Sequence, residues 1–260
     1  MASQLINKVA IVTGASSGIG RSTALQLASL GCCLSLSGRN KQNLSDVKKK
    51  CSEKLQENQV LIVDGDIGEE STRERLIQET LKFFGKIDIL INNAGIIKKG
   101  TVEATPLEDF DEVMNINVRS CYHLMQLAIP HLKLTKGNIV NVSSVNGLRS
   151  FAGVAVYNTS KASLDHLTRC AALELAPDGV RVNAVNPGVI ITEIHKRGGM
   201  NDQEYQAFLE RSKTTHPLGR PGNPEEVAKA IQFLADDSQS SFITGVTLSV
   251  DGGRHLTCLR

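Results

Sequence analysis

Short runs of consecutive apolar residues recur along the chain, separated by longer stretches in which apolar positions return every three or four residues. The runs at 9–12, 33–37, 60–63, 87–91, 138–142, 180–185 and 246–250 predict strands. They are continuous rather than alternating, as strands covered on both faces require. The amphipathic stretches near 19–30, 42–57, 69–84, 106–130, 155–176 and 224–235 predict helices. Two of these open on clear start signals, Thr105-Pro106 and Asn223-Pro224-Glu225-Glu226. Strand and helix in alternation predict a doubly wound, Rossmann-type α/β fold: seven parallel strands ordered 3-2-1-4-5-6-7, with helices on both faces. No linker, low-complexity tract or repeat divides the chain, so residues 1–260 are expected to form a single domain. Only the stretch 190–222 breaks the rhythm, with Gly198, Gly199, Pro217, Pro221 and Gly222, and it is expected to be a substrate-binding loop.

Composition narrows the function. With 41% hydrophobic residues and 22 glycines the chain has the apolar share of a globular protein, which excludes disordered, collagenous and disulfide-scaffold classes. A net charge of +2 gives no electrostatic reason to expect nucleic acid, and the Lys48-Lys49-Lys50 run reads as a solvated helix face. The longest apolar runs fall far short of the ~18 residues of a membrane span. No basic segment followed by an apolar one opens the chain, so no secretory signal is expected. Cysteines at 32, 33, 51, 121, 170 and 258 form no Cys-x-x-Cys pair and read as reduced thiols, which points to a cytoplasmic protein. The histidines at 123, 131, 166, 195, 216 and 255 show no His-x-His or His-Glu-x-x-His spacing, and no metal is expected.

The first predicted strand runs straight into Thr13-Gly14-Ala15-Ser16-Ser17-Gly18-Ile19-Gly20, where a helix begins. Glycines there permit a tight turn, let backbone N–H groups approach a diphosphate and allow close helix–strand packing. The helix N-terminus adds partial positive charge. Gly14, Ser16, Ser17, Gly18, Ile19 and Gly20 are therefore candidate cofactor contacts. After the second strand the chain reads Ser37-Gly38-Arg39-Asn40, with a guanidinium where an NAD site wants a carboxylate. Arg39 can meet a 2′-phosphate, aided by Lys41, and NADP(H) is the favoured cofactor. A plain surface arginine is the alternative. Asp66 and Ile67, just past the third strand, are placed to bracket an adenine.

Tyr157 and Lys161 lie four apart on a predicted helix and share one face. A phenol titrates near 10, too high for ready proton exchange at neutral pH, and a nearby ammonium lowers that value. The pair can thus serve as a tuned general acid/base. Ser144, at the carboxyl end of the 138–142 strand, can converge with Tyr157 on one substrate oxygen.

Thr13–Gly20, Asn92-Asn93-Ala94-Gly95, Asn117, Ser144, Tyr157-x-x-x-Lys161 and Asn186-Pro187-Gly188 together resemble the pattern of the short-chain dehydrogenase/reductase family. The likeness covers nearly the whole chain, and its look is similar to bacterial 3-oxoacyl carrier-protein reductases and animal carbonyl and hydroxysteroid dehydrogenases. The resemblance implies that Tyr157 exchanges a proton with the carbonyl oxygen, that Ser144 rather than Ser143 polarises it, and that Lys161 acidifies Tyr157 and holds the nicotinamide ribose. It implies that Asn117 holds a water linking Lys161 to solvent, at an interruption of the fourth helix. Asn92 with Asn93, Ala94 and Gly95 would receive the adenosine ribose, and Pro187, Gly188, Val189 and Thr192 the nicotinamide and phosphates, with the Val189 N–H and C=O selecting the nicotinamide face. Relatives that prefer NADP often carry a second basic residue where this chain has Ser17, which leaves Arg39 with most of the discrimination.

His195 is a candidate substrate contact, and Met200, Tyr205, Phe208 and Leu209 form a stripe suited to lid packing or an apolar substrate wall. Ala162, Leu164, Leu167, Ala171, Ala172 and Leu175 offer more apolar surface than one sheet face needs. By resemblance that helix contacts other subunits, which implies a homotetramer. The expected activity is reversible, NADP(H)-dependent interconversion of a small-molecule carbonyl and a secondary alcohol. The alternatives are an NAD-linked alcohol dehydrogenase of the same fold and a catalytically idle dinucleotide-binding or scaffold protein.

Overall fold

The computed structural model describes residues 5–257, so Cys258 lies outside the described residues. Seven parallel strands, β1 (Val9–Val12), β2 (Cys33–Gly38), β3 (Val60–Asp64), β4 (Ile89–Asn92), β5 (Asn138–Val142), β6 (Arg181–Pro187) and β7 (Thr247–Val250), form one sheet ordered β3-β2-β1-β4-β5-β6-β7. Alternation along each strand feeds two cores. Ala10 and Val12 of β1 face α1 (Gly18–Ala28), α2 (Lys41–Cys51) and a late helix over Pro224–Ala235, through Ala24, Leu27, Leu44, Val227 and Ile231. Ile11, between them, faces the opposite layer with Leu90, Ile139 and Val182, against α3 (Glu70–Phe84) and two longer helices described below. Both faces of the sheet are thus covered, and this is why its strands read as unbroken apolar runs.

Several elements depart from the sequence expectation, each for a local reason. The helix expected over 42–57 ends at Cys51, and a short turn at Glu57–Gln59 feeds β3. β4 starts at Ile89, and the Asp88 carboxylate just before it accepts from Val9 N–H at 2.8 Å and pairs with Lys86 at 2.9 Å. The helix expected over 106–130 is two helices, α4 (Leu107–Met114) and α5 (Ser120–Thr135), joined by a π-helical turn at Asn115–Arg119. α5 runs past Pro130, which forfeits one helical hydrogen bond, and ends where Lys136 turns left-handed at φ 48°.

Beyond β5 lie α6 (Val145–Leu148) and α7 (Ala155–Leu175). The stretch 190–222 is no plain loop. It contains α8 (Ile194–Arg197) and α9 (Asp202–Thr215), the latter opened by reciprocal capping between Asn201 and Glu204. α10 (Pro224–Ala235) and α11 (Asp237–Ser240) lead to β7. No described helix is long and apolar enough to cross a membrane.

The surplus apolar surface expected on α7 is absent. Leu164, Ala171, Ala172 and Leu175 are buried in the chain's own core, and among those six only Ala162 is exposed. Leu173, on α7 itself, and Phe242, shortly before β7, are among the large apolar side chains left in solvent.

A chain of buried polar groups ties α7 to the sheet. Asn92 Nδ2 of β4 donates to Asn141 Oδ1 of β5 at 2.9 Å, and Asn141 Nδ2 donates to Thr168 Oγ1 of α7 at 2.9 Å. Asn141→Ala leaves the Asn92 amide without that acceptor in a dry site. The expected cost is about 1–3 kcal/mol, read as a lower urea midpoint with an unchanged m-value.

Candidate active site

The carboxyl ends of the strands open into a cleft of about 1020 Å³, above the upper range of single small-molecule pockets and large enough for a dinucleotide with a substrate beside it. Its first wall is the turn after β1. Gly14 and Gly18 hold φ of +64° and +53°, a region that glycine enters without a side-chain clash. A Cβ on Gly14 would lie 2.8 Å from Asn93 Nδ2. Ser17 caps α1 without a side-chain bond, and no acid occupies the first turn, so the helix's positive end faces the cleft unfilled. Ser16, Ser17, Gly18 and Ile19 line the cleft with Gly14, and Gly20 does not. Gly20 is a packing residue: a Cβ there would sit 2.4 Å from the Gly14 carbonyl.

Asn93 does more than line the wall. Its side chain donates to Thr13 O at 2.7 Å, while its own N–H and that of Ala94 donate to Thr13 Oγ1 at 2.9 and 3.0 Å. Asn92, expected beside it, instead points into the sheet as described. Ala94 and Gly95 line the cleft.

The second wall follows β2 and β3. Arg39 stands exposed 3.8 Å from Asp66, and Ile67 is buried beside them. Two basic residues that sequence reasoning passed over act here. Buried Arg73 donates to the carbonyls of Ile67 and Gly68 at 2.8 and 2.9 Å, fixing the turn that carries Asp66. Arg197, at the end of α8, reaches back across the cleft to donate to Ser17 Oγ at 3.1 Å. It places a cation at the position where the glycine turn itself lacks one, and only the fold makes that proximity visible.

The floor is formed by α6 and α7. Ser144 caps α6, its Oγ accepting from Asn146 N–H at 3.1 Å and donating to Asn146 Oδ1 at 3.2 Å, and it lines the cleft with Tyr157. Burial pushes Tyr157 up to about 12, with the neighbouring Ser144 hydroxyl acting in the opposite sense. The acidified phenol expected from Lys161 is therefore not what this arrangement gives. The Lys161 ammonium lies 5.7 Å from the ring centroid and donates to Val142 O at 2.8 Å rather than to the phenol. Burial also holds Lys161 below its ordinary value. Ser143 also lines the cleft, but its hydroxyl is spent on Lys161 O at 3.1 Å.

Asn117 is fully buried in the π-helical turn and does not line the cleft. Its Oδ1 accepts from Ile96 N–H at 2.9 Å, and its Nδ2 donates to Ile96 O at 2.9 Å and Ser160 Oγ at 3.0 Å. The side chain thus braces the strand leaving Gly95. Asp165, one turn beyond Lys161, accepts from Asn186 Nδ2 at 2.9 Å, and that amide also donates to Ser144 O at 2.9 Å. The four-residue spacing 157, 161, 165 was the signal that could have drawn attention to it.

At the far end Pro187, Gly188, Val189 and Thr192 line the cleft. The Val189 backbone groups expected to read the nicotinamide are already engaged. Its N–H donates to His216 Nε2 at 3.1 Å and its C=O accepts from Gly222 N–H at 2.9 Å. Thr192 is held by Tyr205, whose hydroxyl donates to its C=O at 3.0 Å and accepts from its N–H at 3.2 Å. The stripe on α9 therefore divides: Met200 and Phe208 face the cleft, while Tyr205 pins the lid and Leu209 lies outside the lining. His195 packs against Phe208 at 4.4 Å, and burial, with the charges of Arg254 and Lys99, pushes it down to about 4. Outside the cleft, Glu70, Glu74 and His123 bring metal-ligand atoms within 4.8 Å of one another across two helices, although His123 Nδ1 accepts from Arg73 at 3.0 Å.

A glycine-lined helix terminus at one end of a strand-end crevice and a buried hydroxyl pair further along define a dinucleotide-dependent oxidoreductase. A family model described as enoyl-(acyl carrier protein) reductase matches residues 14–255. The 3-oxoacyl-(acyl-carrier-protein) reductase of Thermotoga maritima is 36% identical over 254 residues, covering 96% of this chain and 98% of that protein. A tropinone reductase homolog of Arabidopsis thaliana is 39% identical, over 96% of this chain and 92% of its own length. A short-chain dehydrogenase/reductase of unknown function from Caenorhabditis elegans, in a crystal structure with cofactor, superposes with a TM-score of 0.94 at 36% identity, over 98% of this chain and 97% of the other. The chain belongs to the short-chain dehydrogenase/reductase family, whose members bind a nicotinamide dinucleotide.

Gly20→Ala forces a methyl against backbone that cannot yield without moving the turn. It is expected to lower stability by about 1–3 kcal/mol and to weaken nicotinamide dinucleotide binding, measured by urea unfolding and by quenching of bound-cofactor fluorescence.

Proposed function

We propose that the chain interconverts a small-molecule carbonyl and a secondary alcohol with NADP(H), in the cytoplasm and as a homotetramer. The observation that carries this reading is that Ser144, Tyr157 and Lys161 line the floor of one cleft whose other end is the glycine turn. A phenol that holds its proton at neutral pH is a donor, which is the form carbonyl reduction needs. Ser144 offers a second hydrogen bond to the same oxygen and favours the negative charge that develops on it. As Tyr157 releases its proton, the Lys161 ammonium over the ring stabilises the phenolate. When bound, the nicotinamide supplies or accepts the hydride. Asn117 acts as a positioning residue through Ile96 and Ser160, and any relay of protons through it would use groups other than its side-chain amide, which is engaged with Ile96 and Ser160.

The residues present fit the dinucleotide. Gly14, Ser16, Ser17, Gly18 and Ile19 surround an uncapped helix terminus suited to a diphosphate. Asp66 and Ile67 offer an adenine site, Asn93 to Gly95 a ribose site, and Pro187, Gly188, Val189 and Thr192 the nicotinamide end, beside Lys161 and Tyr157. Two guanidinium groups support NADP over NAD: Arg39 after β2, and Arg197, which lies on Ser17. The intact Ser144, Tyr157, Lys161 and Asn117 set argues against an idle scaffold. The exposed Leu173 and Phe242 are compatible with subunit contacts, although the α7 stripe no longer supports them.

Tyr157→Phe is expected to lower kcat/KM for carbonyl reduction by roughly 10²–10⁴-fold, measured by NADPH consumption over a carbonyl panel. Unchanged turnover would remove Tyr157 from the mechanism. Because the phenol keeps its proton well into the alkaline range, reduction stays level with rising pH to about 9, whereas alcohol oxidation, which needs the phenolate, climbs over the same interval. Arg39→Asp is expected to weaken NADPH binding by about tenfold or more and to shift preference toward NADH, read by fluorescence titration with each cofactor. Equal NADPH affinity in the variant would refute the role given to Arg39.

A further inference from the structure

Beyond Tyr157 the cleft continues into a compartment built by the segments that follow β5, β6 and β7, across the sheet from the glycine turn that follows β1. Three guanidinium groups converge on it from separate parts of the chain: Arg149 after α6, Arg211 on α9 and Arg254 after β7. Among the described residues no carboxylate oxygen lies within 4.0 Å of any of them. Two are held in place by uncharged partners. Arg254 packs 4.7 Å over the Phe151 ring and donates to Thr215 Oγ1 at 2.8 Å. Arg149 donates to the carbonyls of His255, at 2.8 Å, and Thr257. The Arg211 side chain is exposed, and its guanidinium makes no hydrogen bond among the described residues.

The charges are close enough to act on one another. Burial and the Arg211 charge hold Arg254 below its ordinary pKa, and Asp251 opposes them. Asp251, however, is turned into its own loop, accepting from His255 N–H at 2.7 Å and His255 Nδ1 at 2.8 Å. The other acids of this region are taken or exposed: Glu112 pairs with Lys98 at 2.9 Å, Glu204 with Lys99 at 3.4 Å, and Glu193 stands in solvent. Partly buried like charges without counter-ions are unfavourable, and a bound anion relieves them; the guanidinium fork suits an oxyanion in particular. The groups given to the dinucleotide's own phosphates, namely the glycine turn with Thr192 and Arg197 against it and Arg39 after β2, include none of these three arginines.

We propose that the carbonyl substrate is itself an anion, bearing a carboxylate or phosphate held by Arg254 and Arg211 beside Arg149 while its carbonyl oxygen meets Ser144 and Tyr157. The proposal rests on the oxidoreductase reading for its second half only. The groups would bind the oxyanion in a compartment shared with the apolar faces of Phe151, Met200 and Phe208, so an oxo acid with a short carbon chain between its two functional groups fits the arrangement.

The test compares matched probes with the NADPH-loaded full chain: levulinate against methyl levulinate, and dihydroxyacetone phosphate against dihydroxyacetone. The anion of the preferred pair is expected to have at least a tenfold higher kcat/KM, and Arg254→Gln to erase most of that preference. Preference in the first pair identifies a carboxylate, in the second a phosphate. Equal or better turnover of the neutral members overturns the proposal and leaves the oxidoreductase reading standing. Thermal melting supplies a readout independent of turnover: the anion raises the melting temperature of the wild type and loses that effect in Arg254→Gln. Arg211→Gln, at an exposed site, repeats the comparison should the Arg254 variant fold poorly. If no probe is reduced, the activity reading is what fails, and the melting shift alone decides the anion site: no shift, or one that persists in both variants, overturns it.

Discussion

β1 and β4 lie side by side, yet the chain leaves one toward β2 and the other toward β5, in opposite directions across the sheet. No crossover covers the strand ends at that reversal, and a crevice remains. Its shape at atomic scale rests on Asn93, whose amide crosses from the end of β4 to the carbonyls of Thr13 and Gly14. The same side chain blocks a larger residue at Gly14 or Gly20, so the close approach of turn and helix depends on both glycines and this one amide together. A carbonyl left unpaired at that depth would be costly, and a turn free to relax would not hold its N–H groups toward the cleft.

The floor is organised by a similar economy of buried polar groups. Asp165, Asn186 and Ser144 form one linked set, and Asn92, Asn141 and Thr168 another, each running from the sheet into α7. These sets join sheet to helix although Asn92, Asp165 and Asn186 each keep one buried side-chain oxygen without a partner among the described residues. Here they fix the helix that carries Tyr157 and Lys161 against the strand that presents Ser144. The opposite wall is held more lightly. Thr192 is fastened by one hydroxyl, that of Tyr205, and Arg197 touches Ser17 through a single exposed contact. Rigidity thus falls from the catalytic floor toward the lid, which is the gradient a site needs if it must admit and release two ligands.

The fold was legible in the sequence because strands covered on both faces leave unbroken apolar runs, and because the Gly14 turn sits where a strand meets a helix. Tyr157 and Lys161 were legible for the same local reason, a spacing of four. What escaped was set by distance along the chain. Arg197 and Ser17 are far apart in sequence, as are Val189 and His216, and no local pattern announces either contact. Leu164 and Ala171 were misread because periodicity shows that a face is apolar without showing what covers it. For Tyr157, spacing reveals the ammonium one turn away, whereas the burial that raises the phenol exists only in three dimensions.

The π-helical turn at Asn115–Arg119 carries a consequence for how this chain can vary. One surplus residue there lets Asn117 look inward at Ile96 while Cys121, Leu124 and Ala128 further on still lie against the sheet. Each helical position turns the axis by roughly 100°, so losing that surplus residue would swing the whole downstream helix off its seat. Length in this segment is therefore guarded more strictly than identity. Among descendants of this gene, exchanges of side chain should be tolerated at the turn's outer positions long before a single codon is dropped.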